Sequence, residues 1–107
     1  PGGGFVVVDF LVGRDGVLEC SYTDLGGSRA FWELRRRCVF LDYKFSLLRR
    51  FGGEKLVYVA FIEAPHVECL ALTKVVGPLL PDADFVAVTE EELVEILRKI
   101  GGGCEYG

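Results

Sequence analysis

Residues 5–23 read Phe5-Val6-Val7-Val8-Asp9-Phe10-Leu11-Val12-Gly13-Arg14-Asp15-Gly16-Val17-Leu18-Glu19-Cys20-Ser21-Tyr22-Thr23. Up to Val12 the stretch is apolar on both parities and rich in β-branched residues, as expected of a strand covered on both faces, and Asp9 is its only polar residue. Gly13-Arg14-Asp15-Gly16 is turn chemistry, and Val17 to Thr23 resumes in extended form, so the sequence predicts a β-hairpin closed by Gly26 and Gly27.

The length of the turn decides the chemistry. Directly paired residues of an antiparallel hairpin share a face, so Asp9 and Glu19 converge if partner numbers sum to an even value, as with the three-residue loop Gly13-Arg14-Asp15. An even-length loop without a bulge, Gly13 to Gly16 or Asp15-Gly16 alone, sends them to opposite faces. An acid inside a covered strand is costly unless it meets a cation or strong donors. Two carboxylates on one face make a hard-oxygen site suited to magnesium or manganese. The alternative is a salt-bridged Asp9 and a solvated Glu19.

Downstream, Ser28 is positioned to cap a long helix running to Phe51, where Gly52-Gly53 stops it. Phe31, Leu34, Cys38, Leu41, Phe45 and Leu48 recur at spacings of three and four and form its expected core stripe. The other half of the wheel interleaves Arg29, Arg36, Arg37, Lys44 and Arg50 with Trp32, Phe40, Tyr43, Leu47 and Phe51. Leu56 to Ile62 reads as an apolar strand, and a short helix is expected from about His66 to Val76, with Pro65 near its first turn and Pro78 and Pro81 after it. Phe85 to Val88 is the last expected strand. Thr89-Glu90-Glu91-Glu92 is a capping box opening a helix that ends at Lys99-Ile100-Gly101. The order hairpin, helix, strand, helix, strand, helix predicts an α/β domain spanning 1–107: a mixed four-stranded sheet, built from the N-terminal β-hairpin plus two crossover strands, packed with three helices.

Composition bounds the function. A chain of 107 residues that is 50% hydrophobic suits one core, and 26% charged residues with strand-sized apolar runs point away from a membrane span or a disordered tail. No secretory pattern is seen, so the cytoplasm is the expected compartment. The sequence lacks Asn, Gln and Met, a depletion of thermolabile residues expected of a hyperthermophile, and archaeal origin fits that reading. The opening Pro1-Gly2-Gly3-Gly4 without Met reads as a trimmed chain. Cys20, Cys38, Cys69 and Cys104 form no C-x2-C pair, so buried thiols are expected, with one heat-adapted disulfide as the alternative. His66 is the only histidine and reads as a surface residue, and Gly26-Gly27 fits no phosphate-cradling pattern. A net charge of −4 argues against a cationic coat but not against a local basic patch.

Val8-Asp9 and Glu19-Cys20-Ser21, on a hairpin followed by helix, strand and helix, resemble the PD-(D/E)XK nuclease superfamily. The resemblance implies a magnesium- or manganese-dependent nuclease with Asp9 and Glu19 as metal ligands and catalytic acids. Two departures stand out: Ser21 occupies the place of the family's lysine, and the family's leading helix with its acid has no counterpart in this sequence. Ser21 cannot supply a cation, so Lys44 or Arg36 is expected to do so from the following helix. A looser resemblance, with no anchoring motif, is to the single-stranded-DNA-binding proteins without an OB fold of hyperthermophilic archaea. It implies nucleic-acid contacts by Arg29, Trp32, Arg36, Arg37, Phe40, Tyr43, Lys44 and Arg50, because arginines follow phosphates while aromatics stack on bases.

The leading expectation is thus a nucleic-acid-binding domain, single-stranded DNA favoured, on a nuclease-like core whose catalysis is weak or lost. One alternative is an active nuclease using Asp9 and Glu19, assisted by Glu33 or Lys44. Another is an interaction module forming a homodimer through the Trp32 and Phe40 side of the long helix.

Overall fold

The structure is a computed structural model and describes residues 8–24, 26–51 and 56–101. Its elements are β1 (Phe10–Val12), β2 (Gly16–Tyr22), α1 (Gly27–Arg50), β3 (Val57–Glu63), α2 (Cys69–Val76), a single 3-10 turn (Gly77–Leu79), β4 (Phe85–Ala87) and α3 (Glu90–Ile100). The sheet is mixed and four-stranded in the order β1-β2-β3-β4; β1 and β2 are antiparallel, whereas β2–β3 and β3–β4 are parallel. This is the α/β architecture expected from the sequence.

The hairpin register is Phe10↔Leu18, Leu11↔Val17 and Val12↔Gly16, which leaves Gly13-Arg14-Asp15 as a three-residue loop. Gly13 turns the chain with φ +60°, the left-handed region that favours glycine. Gly16 serves a different need, since a Cβ there would lie 2.8 Å from the Val12 carbonyl oxygen and 3.1 Å from Ile100 Cγ2.

Side chains of β2 alternate between two helical layers. Val17 joins Leu34, Cys38, Leu41 and Phe45 of α1, Tyr58, Ala60 and Ile62 of β3, and Leu72 and Val76 of α2 in the larger cluster. Leu18 joins Val59, Phe61, Ala87 and Ile96 on the α3 side. Phe45 and Tyr58 pack with ring centroids 5.4 Å apart and tilted planes, which fixes α1 over β3. Arg49 then ties the end of α1 to the segment entering β4: its Nη2 donates to the Asp82 carbonyl (2.6 Å) and the Asp84 carboxylate (3.3 Å), and the guanidinium lies 4.6 Å from the Tyr58 ring centroid. At the start of α3, Thr89 Oγ1 accepts the Glu92 N–H, as the expected capping box requires, whereas Glu92 Oε1 reaches the N–H of Val88, one residue before the cap, instead of that of Thr89.

Several expectations need correction. The apolar run ending at Val12 does not make a doubly covered strand: β1 holds only Phe10–Val12 at the sheet edge, where Phe10 and Leu11 are 56% and 74% exposed, and residues 5–7 lie outside the described residues. The helices cover the central strands, and apolar composition alone does not separate an edge strand from a central one. Phe31 leaves the core stripe, being 44% exposed, because α1 first meets the core at Leu34. Gly26 rather than Ser28 is the N-cap of α1, with no side-chain cap, and Gly52-Gly53 lies outside the described residues. Pro65 and His66 belong to a turn closed by Val67 N–H to the Ala64 carbonyl (2.9 Å), so α2 begins only at Cys69.

Of the thiols expected to be buried, Cys38 is, and burial pushes its pKa up to about 11, whereas Cys20 and Cys69 are exposed; these three are free, and Cys104 lies outside the described residues. Among the described residues no helix is long and apolar enough to cross a membrane. The close approach at Gly16 predicts that Gly16→Ala, which must push a methyl against backbone, lowers stability by roughly 1–3 kcal/mol. Urea denaturation checks this, and an unchanged midpoint would show that the Val12–Gly16 approach can relax at no cost.

Candidate nucleic-acid interface

The register continued one step past Phe10↔Leu18 brings Asp9 opposite Glu19, the convergence that a three-residue loop requires. Their carboxylates replace ladder bonds where β1 bends away from β2. Glu19 Oε2 accepts the Asp9 backbone N–H (2.9 Å), and Asp9 Oδ2 accepts the Cys20 N–H (2.8 Å). The two acids live in unlike surroundings. Glu19 is 2% exposed on the α1 side of β2, whereas Asp9 faces solvent. The expected alternative of a salt-bridged Asp9 and a solvated Glu19 is therefore inverted, because Asp9 lies on the open edge and Glu19 under a helix.

Burying a carboxylate there requires a cation, and Lys44 supplies it. Lys44 stands one helical turn after the buried Leu41 on α1, both lining the same cleft, and its Nζ donates to Glu19 Oε1 at 2.9 Å. Of the two cations expected to serve this purpose, Lys44 reaches the acids. Arg36 turns instead to Glu33, its Nη2 2.9 Å from Oε2, and Arg37 Nε donates to the same oxygen at 2.9 Å. Arg37 also donates through Nη1 to the Tyr22 carbonyl (3.1 Å), which ties α1 to the end of β2. Hydrogen bonds from Arg36 and then Arg37 hold the Glu33 carboxyl below the usual carboxylate range. Burial first, and then the charges of Asp9, Glu63 and Glu19, raise the Cys20 thiol.

These groups line one open cleft of ≈ 760 Å³ between the end of β2 and α1. Asp9, Glu19, Ser21 and Lys44 share it with Arg36, Arg37, Phe40 and Tyr43. The rings of Phe40 and Tyr43 are 69% and 60% exposed, so they stand in solvent as flat apolar faces beside the arginines. Trp32 lies in an adjoining groove with Arg36. Arg29 and Arg50 are exposed near opposite ends of α1 and do not line the cleft; the Arg50 guanidinium lies 5.9 Å from the Phe51 ring centroid. The surface reading of His66 holds, since it is exposed and lies 3.0 Å from Asp24. Glu33 and Arg35 are the residues whose place sequence reasoning underweighted. Both sit within one turn of Arg36, and the i, i+3 and i, i+4 spacings of Glu33 to Arg36 and Arg37 were the available signal.

A divalent ion in this cleft would have Asp9 and Glu19 as its carboxylates. Glu19 is engaged by Lys44 and by the Asp9 N–H, and among the described residues no group of three or more His, Cys, Asp or Glu is placed to share an ion. No family model, curated protein or solved structure matches the chain.

The Glu19–Lys44 pair generates a prediction. Lys44→Met leaves a buried carboxylate without its cation and is expected to cost on the order of 3 kcal/mol in urea denaturation. Adding Glu19→Gln removes that charge while keeping an acceptor for the Asp9 N–H, and is expected to restore more than half of the loss. Additive losses in the two variants would mean that the pair is not coupled.

Proposed function

We propose that this domain binds single-stranded nucleic acid, with DNA as the favoured form, in the cleft between β2 and α1, and that its catalytic capacity is weak or lost. One observation carries the reading: the Asp9, Glu19 and Lys44 cluster opens into the same cleft as Arg36, Arg37, Phe40 and Tyr43. Guanidinium groups suit phosphodiester oxygens, and exposed rings suit unpaired bases, at about 1–3 kcal/mol per stacked base. The three carboxylates Asp9, Glu19 and Glu33 balance the three cations Arg36, Arg37 and Lys44. A phosphate would therefore meet arginines already paired with Glu33 rather than a bare positive pocket. The absence of Asn and Gln supports a heat-adapted setting.

A second reading, an active nuclease, is favoured by the position of Lys44, which brings a cation to the acid pair despite Ser21. There a magnesium or manganese ion would polarise the scissile phosphate, Asp9 and Glu19 would hold it, and Lys44 would stabilise charge on the phosphate oxygens. Ion binding must first break the Lys44–Glu19 pair, which supports placing this reading second.

Fluorescence anisotropy of a labelled single strand and a matched duplex, with manganese or EDTA, separates the readings. The expected result is single-strand binding without cutting, weakened about fivefold by Arg37→Ala with a flatter salt slope. Phe40→Ala is expected to weaken the single strand more than the duplex. Cutting with manganese that disappears in EDTA and in Asp9→Ala would establish the nuclease instead. Absence of binding to either form would remove both and favour a homodimer through α1.

A further inference from the structure

The cations of α1 divide into two sets. Arg36, Arg37, Lys44 and Arg49 are paired with carboxylates, whereas Arg29, Arg35 and Arg50 pair with none among the described residues. Arg35 stands in a recess of ≈ 300 Å³ lined by Trp32, Arg35, Arg36 and Val39. These four are neighbours at helical spacing, so among the described residues the groove is built by one face of α1. Trp32 is 74% exposed, and among the described residues nothing from the sheet or the other helices lines the recess beside it.

We infer that this groove is a nucleotide subsite, separate from the acid-lined cleft, in which the Trp32 indole stacks on one unpaired base and the Arg35 guanidinium takes its phosphate. The inference rests on the proposed binding of single-stranded nucleic acid and adds where a strand first engages. Arg36 and Val39 line both recesses, so a strand leaving Trp32 crosses a single row of side chains to reach Phe40 and Tyr43. The two recesses differ in electrostatic cost. A phosphate at Arg36 or Arg37 competes with Glu33, while one at Arg35 displaces no carboxylate. Charge complementarity thus favours a polyanion at Arg35. A second copy of α1 would instead set this guanidinium against a face of the same basic character. The indole selects single strands, because duplex bases are stacked on one another and offer only their edges to the grooves.

Trp32 is the only tryptophan in the chain, which makes its emission a reporter of this groove. Titration of the full chain with a labelled oligothymidylate, reading anisotropy and Trp32 emission in the same samples, is expected to give quenching that follows the binding curve. Arg35→Ala is expected to weaken binding about fivefold and to lower the salt slope by about 0.7, whereas Arg35→Lys keeps the slope. Trp32→Ala is expected to weaken binding about tenfold. If anisotropy rises while Trp32 emission and Arg35→Ala affinity stay unchanged, the subsite is wrong and the cleft reading survives. If neither signal responds, the proposed function fails and this inference with it. Emission that changes on dilution without oligonucleotide would assign the groove to a second copy and overturn the inference.

Discussion

The buried carboxylate of Glu19 is the constraint on which the functional face depends. A carboxylate with 2% exposure beneath a helix is tolerable only with a charge partner and satisfied acceptors, and Lys44 and the Asp9 N–H supply both. Those two bonds fix more than the acid. One ties α1 to β2, and the other holds the start of the hairpin where the β-ladder has ended. Arg37, bonded to the Tyr22 carbonyl, repeats the tie about two turns closer to the start of α1. The cleft is thus set by polar contacts at its floor and by the Leu34, Cys38, Leu41 and Phe45 stripe behind it.

The same arrangement sets how a polyanion meets the surface. Each cation lining the cleft among the described residues is paired with a carboxylate, so on the proposed reading a polyanion would meet cations already neutralised. Such a site owes its selectivity to stacking and geometry more than to raw positive potential, in keeping with a chain whose net charge is −4. Lys44 holds Glu19 in the position that a metal-dependent reaction needs free, and the same contact stabilises the fold. On the nuclease reading, structural and catalytic demands on that residue would conflict, which is the physical basis for proposing binding ahead of cleavage.

Much of the fold was legible because its signals were local. The α1 stripe, the Thr89–Glu92 cap and the apolar run of β3 each follow from spacing within a few residues. The Asp9–Glu19 convergence was legible as a parity rule, needing only the loop length that Gly13 then provided. What failed depended on packing between distant elements. The run ending at Val12 reads like a central strand, yet β1 is an edge, since which strands the helices cover is a property of the whole sheet. Phe31 keeps the helical period of the core but precedes the point where α1 reaches it. Lys44 and Arg36 were both candidates in the sequence, Lys44 the one set with the acids, and the crossing of α1 over β2 sends Lys44 to Glu19 and Arg36 to Glu33.

The central claim is that nucleic acid enters the cleft between β2 and α1. Amide chemical shifts recorded by NMR on the isotope-labelled chain, before and after adding a single-stranded oligonucleotide, test it without substituting any residue. The account predicts that the perturbed amides cluster at residues 19–22 of β2 and 33–44 of α1, with α3 and β4 unaffected. Perturbations centred on α3, or on the exposed edge of β1 with the cleft unchanged, would contradict it.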